Sequence, residues 1–311
     1  ISYDGSYYPT LAAFKDGSWT YSRLNVDNSF TAYYNGYSSI AINAAGNAFV
    51  CYVSHAYDGS IVLARMNGDS TLDNYIIDSY LTDDVNVHPK LVLNDQNTEA
   101  YIAYVDGNQL IYKIVTFVSN TQYYLDEEII ETGISNSLGW DIDLVLDSNG
   151  YVHISYYDAI NCNLKYATNS GGSWITTIVD SADDAGEYST VAVDENGIVY
   201  IAYSSGSLSH DLKYAIGTVG NMQIITLDDD GNTGLLPSID IVGDHVAISY
   251  YDARTSDLKL ALFNGFSWST QRIGDVTDYN GQSTLAFDSH GSIYVVCSED
   301  NLIMISMLIY L

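Results

Sequence analysis

Carboxylates and phenols crowd a few stretches of this chain. Asp106, Asp158, Asp252 and Asp300 close or follow apolar runs, and further acidic groups stand at Asp83 and Asp84, Asp183 and Asp184, Asp228, Asp229 and Asp230, and Asp275 and Asp278. Tyr157, Tyr188, Tyr251 and Tyr279 lie beside them. Two like charges about 4 Å apart cost roughly 1 kcal/mol in water and roughly 4 kcal/mol near a protein surface, so a close Asp cluster calls for a cation or a raised pKa. Calcium is the candidate cofactor, because it takes its ligands from carboxylate and carbonyl oxygens, and Asp183, Asp184, Asp230 and Asp278 are the candidate metal ligands. No loop carries the spaced acidic pattern of an EF-hand, and an Asp in an Asn- and Gly-rich turn also reads as turn chemistry on a solvated surface. Tyrosine beside Asp suits a sugar, which offers a weakly apolar ring face and a rim of hydroxyls. On that chemistry the candidate ligand-binding residues are Tyr157, Asp158, Tyr188, Tyr251, Asp252 and Asp106. Tyr156 and Tyr250, inside the apolar runs, read as packing residues.

Catalysis has less to stand on. A glycosidase needs two carboxylates at a set separation, and an Asp that recurs with a repeat reads as architecture. The six histidines and the serines of 204–209 form no nucleophile motif. His153 and His245 fall in or at the start of apolar runs, and His55 and His210 in loops, so all four read as structural. Three cysteines, Cys51, Cys162 and Cys297, include no CxxC pair, and an odd count excludes a complete set of intrachain bridges.

The elements that position these residues follow from a repeat. The segment from His153 to Trp174 returns along the chain in part. Ile-Ser-Tyr-Tyr-Asp stands at Ile154 and Ile248, with relatives at Ile102, Ile201 and Val50. Leu-Lys-Tyr-Ala stands at Leu164 and Leu212, with a relative at Leu258 and looser ones at Gln109 and Ser60; 10–14 and 301–305 are the weakest of seven copies. Both runs have the apolar and polar alternation of strands. Asp or Asn followed three residues later by Gly recurs at Asn43, Asp147, Asp194 and Asp288, a short hairpin turn in which glycine supplies the positive φ. Starting at Tyr151, the strands 151–157, 164–168, 174–180 and 190–193 read as one unit. Four strands in a period of about 45–53 residues predict a β-propeller, whose blades bury their faces against one another.

The repeat runs through without a linker, so one domain is expected across 1–311. Incomplete blades at 1–30 and 281–311 flank five full ones at 36–86, 87–138, 139–185, 186–233 and 234–280. Counting the ends separately gives seven blades, and merging them into one composite closing blade gives six. Ile1 to Asp4 match the end of the Ile-Ser-Tyr-Tyr-Asp strand, so the chain is expected to start inside a blade. A blade short of a strand leaves unpaired backbone groups, which the other terminus or a second copy must cover.

Composition agrees with an all-β chain: 29 Tyr and 24 Gly, and no sustained helical period. Lys and Arg number 10 against 39 Asp and Glu, a formal charge of −29, which excludes nucleic acid and anionic membrane as partners. No run of about 18 apolar residues is present, so membrane insertion is not expected.

Strand alternation then sorts the loops. The first-to-second and third-to-fourth turns of every blade share one face, which receives the Asp-x-x-Gly and Gly-Gly-Ser-Trp turns. The opposite face receives Asp106, Asp158, Asp252 and Asp300 together with the acidic blade-to-blade connections. That acidic, Tyr-rich rim is where the sequence places its ligand.

With these motifs, clearest across 139–280, the chain resembles a repeat of bacterial and archaeal extracellular β-propellers, and more distantly sialidase-type and lectin-type propellers. The sialidase Asp-box motif would fall at 168–174 and 261–268, where Trp and Gly are kept and the motif's Asp is not. A sialidase also needs an arginine cluster, and Arg23, Arg65, Arg254 and Arg272 are scattered. The resemblance implies a non-enzymatic module, extracellular or at the cell surface, that binds carbohydrate or another surface ligand. A subunit of a surface layer or filament that self-associates through terminal strands is the second reading, and a glycoside-processing enzyme the third.

Overall fold

The computed structural model describes residues 10–15, 18–23, 38–54, 59–66, 72–82, 87–119, 122–134, 142–275, 283–299 and 302–308. All regular structure there is β. None of it is a helix able to cross a membrane. The chain forms two compact units, Ile1–Gly139 and Trp140–Leu311.

In the first unit β1 (Thr10–Lys15) and β2 (Ser18–Arg23) form a hairpin. β3 (Ser38–Ile42), β4 (Ala48–Ser54), β5 (Ser60–Met66) and β6 (Leu72–Asp78) make a four-stranded antiparallel sheet in chain order. β7 (Lys90–Leu93), β8 (Glu99–Asp106), β9 (Gln109–Phe117) and β10 (Tyr123–Thr132) make another. Phe49, Leu63, Ile102 and Tyr104 belong to the core they share.

The second unit repeats the plan three times. Its sheets are β11 (Ile142–Leu146), β12 (Val152–Asp158), β13 (Asn163–Thr168) and β14 (Ile175–Asp180); β15 (Ala185–Val193), β16 (Val199–Ser205), β17 (Asp211–Thr218) and β18 (Asn221–Asp228); and β19 (Leu235–Val242), β20 (His245–Asp252), β21 (Asp257–Asn264) and β22 (Trp268–Asp275). β23 (Ser283–Phe287), β24 (Ile293–Glu299) and β25 (Leu302–Leu308) form a three-stranded sheet. One expectation is corrected. The strand at 190–193 does not complete the unit begun at Tyr151 but opens the next sheet, because its tight turn pairs it forward with β16.

Burial follows from sandwiching. Every residue of β12 and β13 is buried, whereas the outer strand β10 is exposed over most of its length. A middle strand covered on both faces must be apolar or internally satisfied throughout, so Ile154, Tyr156, Leu164 and Tyr166 crowd together there. First strands of neighbouring sheets are tied by side chains. Asp143 on β11 accepts from the Val191 N–H at 3.0 Å and the Thr190 hydroxyl at 2.9 Å, and Asp240 on β19 accepts from the Phe287 N–H at 2.8 Å.

The predicted turns form as the sequence requires. Gly46, Gly150, Gly197 and Gly291 all have φ near +80°. In the β7–β8 turn Asn97 takes that place at φ 57°, a conformation asparagine tolerates.

Candidate functional site

Each of the two faces sorted from the sequence has its own chemistry. On the rim predicted to hold ligand, the connections are laced together by backbone hydrogen bonds. The Ala185 N–H donates to the Cys162 carbonyl at 3.3 Å, Gly206 to Asp184 at 3.2 Å, and Ala253 to Asn232 at 3.0 Å.

The rim carboxylates are employed in the same work. Asp158 is 2% exposed; its Oδ1 accepts from the Ile160 and Asn161 N–H groups at 3.2 and 3.4 Å, and its Oδ2 from Asn161 Nδ2 at 2.8 Å. Asp252 repeats this arrangement, accepting from Arg254 and Thr255 N–H at 3.0 and 3.3 Å while its Oδ2 lies 3.1 Å from Lys259 Nζ. Asp106 receives the Thr82 N–H and hydroxyl at 2.8 and 2.6 Å. The sequence assigns these aspartates either to a ligand or to turn chemistry on a solvated surface. Asp158 and Asp252 instead turn inward, because a short loop leaves its first backbone donors unpaired and an Asx side chain satisfies them locally.

The rim phenols are no freer. The Tyr157 hydroxyl donates to Asp184 Oδ1, and burial together with that carboxylate holds the phenol well above its usual pKa. Tyr251 is buried against Leu258, Leu260 and Leu285. Tyr188 is half-buried in β15 at positive φ. Of the candidate metal ligands, Asp183 is exposed, Asp184 is engaged by Tyr157, and Asp230 lies 3.7 Å from Arg254 Nη2. Asp278 falls outside the described residues, as do Asp83, Asp84, Tyr279 and Asp300. Among the described residues no three His, Cys, Asp or Glu side chains are grouped to hold a metal ion.

Beneath the rim, the repeated Tyr, Lys and Asp form a clasp that sequence reading missed. Asp180 at the end of β14 accepts the Tyr203 hydroxyl at 2.7 Å and Lys213 Nζ at 3.4 Å, both from the following sheet. Asp228 at the end of β18 does the same with Tyr250 and Lys259, at 2.8 and 2.7 Å. In the first unit Asp78 receives the Tyr104 hydroxyl and lies 3.1 Å from Lys113 Nζ. A β-bulge precedes each Asp, so that Asp180 faces Leu164 and Asp228 faces Leu212, which aims the carboxylate at the neighbouring sheet. Burial raises the Asp228 pKa, but Lys259, Tyr250 and the Asp230 N–H outweigh it and leave the carboxyl below its ordinary value. The same bulge in β22 puts Gly274 opposite Leu258, and Asp275 pairs with Arg272 instead.

The opposite face holds a cleft of about 340 Å³ between the β11–β14 and β15–β18 sheets, lined by Asp147, Asn149, Tyr151, His153, Tyr166 and Ser170 on one side and by Gly197, Val199, Thr218 and Val219 on the other. The turns that line it are the ones predicted to share this face. Asp147 Oδ1 accepts from the Asn149 and Tyr151 N–H groups at 2.9 and 2.8 Å. His153, 3% exposed, bonds through Nδ1 to the Tyr166 hydroxyl, and its Nε2 lies 3.6 Å from Asp147 Oδ2. Burial lowers the His153 pKa more than Asp147 raises it, so the imidazole is neutral at neutral pH. For Asp147 the balance falls the other way. Burial raises its pKa, the two backbone donors with Asn149 and His153 more than reverse this, and the carboxyl stays ionised. Tyr151 is 39% exposed at the mouth. An apolar wall, one exposed phenol ring and several convergent polar groups can hold a small polar molecule of saccharide size.

No protein-family model matches the chain. No curated protein sequence does either. Solved structures do. AofleA from Arthrobotrys oligospora is similar at 14% identity and a TM-score of 0.60, over 89% of this chain and 84% of that one. A mutant of the Aleuria aurantia lectin in complex with Fucalpha1-6GlcNAc is similar at 12% and 0.59, over 88% and 92%. A Hadza microbial sialidase is similar at 11% and 0.58, over 87% of this chain and 65% of its own. These neighbours are β-propellers, and at such identities the likeness is one of fold.

Proposed function

We propose that this chain is a non-enzymatic extracellular β-propeller module that binds carbohydrate in the cleft floored by Asp147 and His153. The observation that carries the reading is the cleft itself: a buried imidazole nitrogen without a hydrogen-bond partner, beside a half-exposed phenol, in a fold similar to that of two lectins solved with a fucoside. The earlier candidates Tyr157, Asp158, Tyr188, Tyr251, Asp252 and Asp106 are the alternative surface. Glycan-array binding by the wild type, by Asn149→Ala with Tyr151→Ala, and by Tyr157→Phe with Asp158→Asn separates the two. Loss in the first pair alone supports the cleft; loss in the second pair alone returns the site to the rim.

The sialidase and an arabinofuranosidase among the neighbours motivate the enzymatic alternative. Against it, Arg65 lies over the Phe49 ring, Arg254 against Asp230 and Asp252, and Arg272 between Asp257 and Asp275, so no described arginine stands in the cleft. Turnover of a glycoside panel would overturn the non-enzymatic reading. The subunit reading, a seven- rather than six-bladed count and calcium dependence are addressed together by light scattering and small-angle scattering with and without chelator. A compact monomer indifferent to chelation favours recognition, and polymers or a ring of chains favour a building block.

A further inference from the structure

Cross-strand register places His153 where β16 and β24 carry a tyrosine, while β20 has Ala247 and β4 has Phe49 there. The residue three before the buried Tyr156 of β12 corresponds to Tyr200 of β16, which is three before Tyr203, and to Tyr294 of β24, which is three before Cys297. In those two strands the phenol spans to the turn aspartate of its own sheet. Tyr200 reaches Asp194 Oδ2 at 3.4 Å and Tyr294 reaches Asp288 Oδ2 at 3.4 Å. In β12 the shorter imidazole stops at 3.6 Å from Asp147 Oδ2, and its Nε2 is buried with no hydrogen-bond partner. Asp147 Oδ2 has only Asn149 Nδ2 at 3.5 Å. Histidine where β16 and β24 have tyrosine therefore leaves the cleft floor with one buried group short of a partner and another weakly bonded.

The direction of each group follows from its other contacts. The Ser170 N–H donates to Thr168 Oγ1 at 3.2 Å, Thr168 bonds to the Tyr166 hydroxyl, and Tyr166 bonds to His153 Nδ1. The ionised Asp147 carboxylate 3.6 Å from Nε2 favours the neutral tautomer with its proton on Nε2, and the Tyr166 hydroxyl then donates to Nδ1. A donor and an ionised acceptor thus lie side by side at the bottom of the cleft. No lysine or arginine lines it.

We propose that Nε2–H of His153 and Oδ2 of Asp147 together hold two neighbouring hydroxyls of a neutral saccharide, one hydroxyl accepting from the imidazole and the other donating to the carboxylate. This rests on reading the cleft as a carbohydrate site and adds its class: a fixed carboxylate with no countercharge, on a chain of formal charge −29, rejects sugars that carry a carboxylate. Desolvating both anions together is the source of the discrimination, so it exceeds what distant charge alone gives.

The test is calorimetric titration of the whole protein with methyl α-L-fucoside, methyl β-D-galactoside, methyl α-D-mannoside and N-acetylneuraminic acid. His153→Tyr introduces the residue that β16 and β24 carry at this place and fills the gap as Tyr200 does, so it folds with a thermal midpoint at or above that of the wild type. At least one neutral glycoside binds the wild type, the acidic sugar binds at least tenfold more weakly, and His153→Tyr weakens the neutral ligand tenfold or more. Asp147→Asn keeps the turn, since Asn43 accepts the same two N–H groups at 3.1 and 2.8 Å, yet replaces the acceptor with a donor. It weakens the neutral glycoside and narrows the gap to the acidic one. Unchanged neutral binding in His153→Tyr, or an acidic sugar bound as tightly as neutral ones, overturns this inference and leaves carbohydrate binding standing. A wild type that binds no glycan on an array overturns the functional reading itself.

Discussion

Asp158 on the rim and Asp147 on the turn face perform the same local task. Each closes a short loop with one carboxylate oxygen that accepts two backbone N–H groups. They differ in the second oxygen. Asp158 Oδ2 is taken by Asn161 at 2.8 Å, whereas Asp147 Oδ2 faces a histidine nitrogen 3.6 Å away that nothing else engages. Of these two aspartates, the one on the turn face has the unmet bonding capacity beside it. A buried polar group left short of a partner costs free energy, and a ligand that supplies the partner recovers it. Density of acidic residues is therefore a poor guide to the site in this repeat.

The largest effect that would sharpen this comparison lies in the clasp beneath the rim. Asp228→Ala leaves the buried Tyr250 hydroxyl without its acceptor and Lys259 with Asp252 alone, a loss of about 3 kcal/mol. The carboxylate is 8% exposed, so little solvent screening applies. Asp275→Ala, at a carboxylate 70% exposed on its Arg272 partner, changes stability by less than about 1 kcal/mol. Urea midpoints of the two variants measure the difference. Equal losses would mean that the clasp is no stronger than a surface pair.

Next comes the rim itself. Asp158→Ala removes two loop caps and the Asn161 bond at a 2%-exposed position, a loss of about 1–3 kcal/mol. Exposed Asp183→Ala stays within about 0.5 kcal/mol. Both should bind glycan as the wild type does. Weakened binding in Asp158→Ala at full stability would restore the rim as the site.

These residues also show what the sequence could convey. Strands, hairpin turns and the sorting of loops between two faces depend on alternation and on Asp-x-x-Gly chemistry, both local, and the repeat displays them several times over. The clasp joins Asp180 to Tyr203 and Lys213, separated by 23 and 33 positions and lying in two sheets, so no local pattern encodes it. Burial of Asp158 and Asp252 ran against residue type, because the donors they satisfy are backbone groups common to every sequence. The signal for the cleft was present but unread. His153 occupies the place of Tyr200 in β16 and Tyr294 in β24, and such a correspondence is informative only after the register is known.

Acid should separate the two faces by a smaller margin. Burial depresses the pKa of His153, and it holds His88 down at about 2. A histidine whose folded pKa lies below the unfolded value of about 6.5 supports the fold above pH 6.5, and that support fades as pH falls, since the unfolded chain takes up the proton first. Each such histidine removes up to about 1.4 kcal/mol per pH unit below 6.5. In His153→Tyr the decline between pH 6.5 and 5 should be shallower than in the wild type by one histidine's share. Parallel curves would show that His153 is as easily protonated in the fold as outside it.

The smallest effect concerns the turn that carries Asn149 and Tyr151 into the cleft. Gly150 has φ +80° and open space where a Cβ would stand. Only the backbone conformation resists substitution there, at about 1–2 kcal/mol for alanine. Asn97 occupies the matching turn position in the β7–β8 hairpin at φ 57°, so Gly150→Asn should cost less than half as much as Gly150→Ala and leave glycan affinity within about twofold. If Gly150→Asn abolished binding while preserving stability, the turn's mobility rather than its fixed Asp147 cap would be what the ligand requires, and the fixed donor and acceptor proposed for the cleft floor would not be sufficient for recognition.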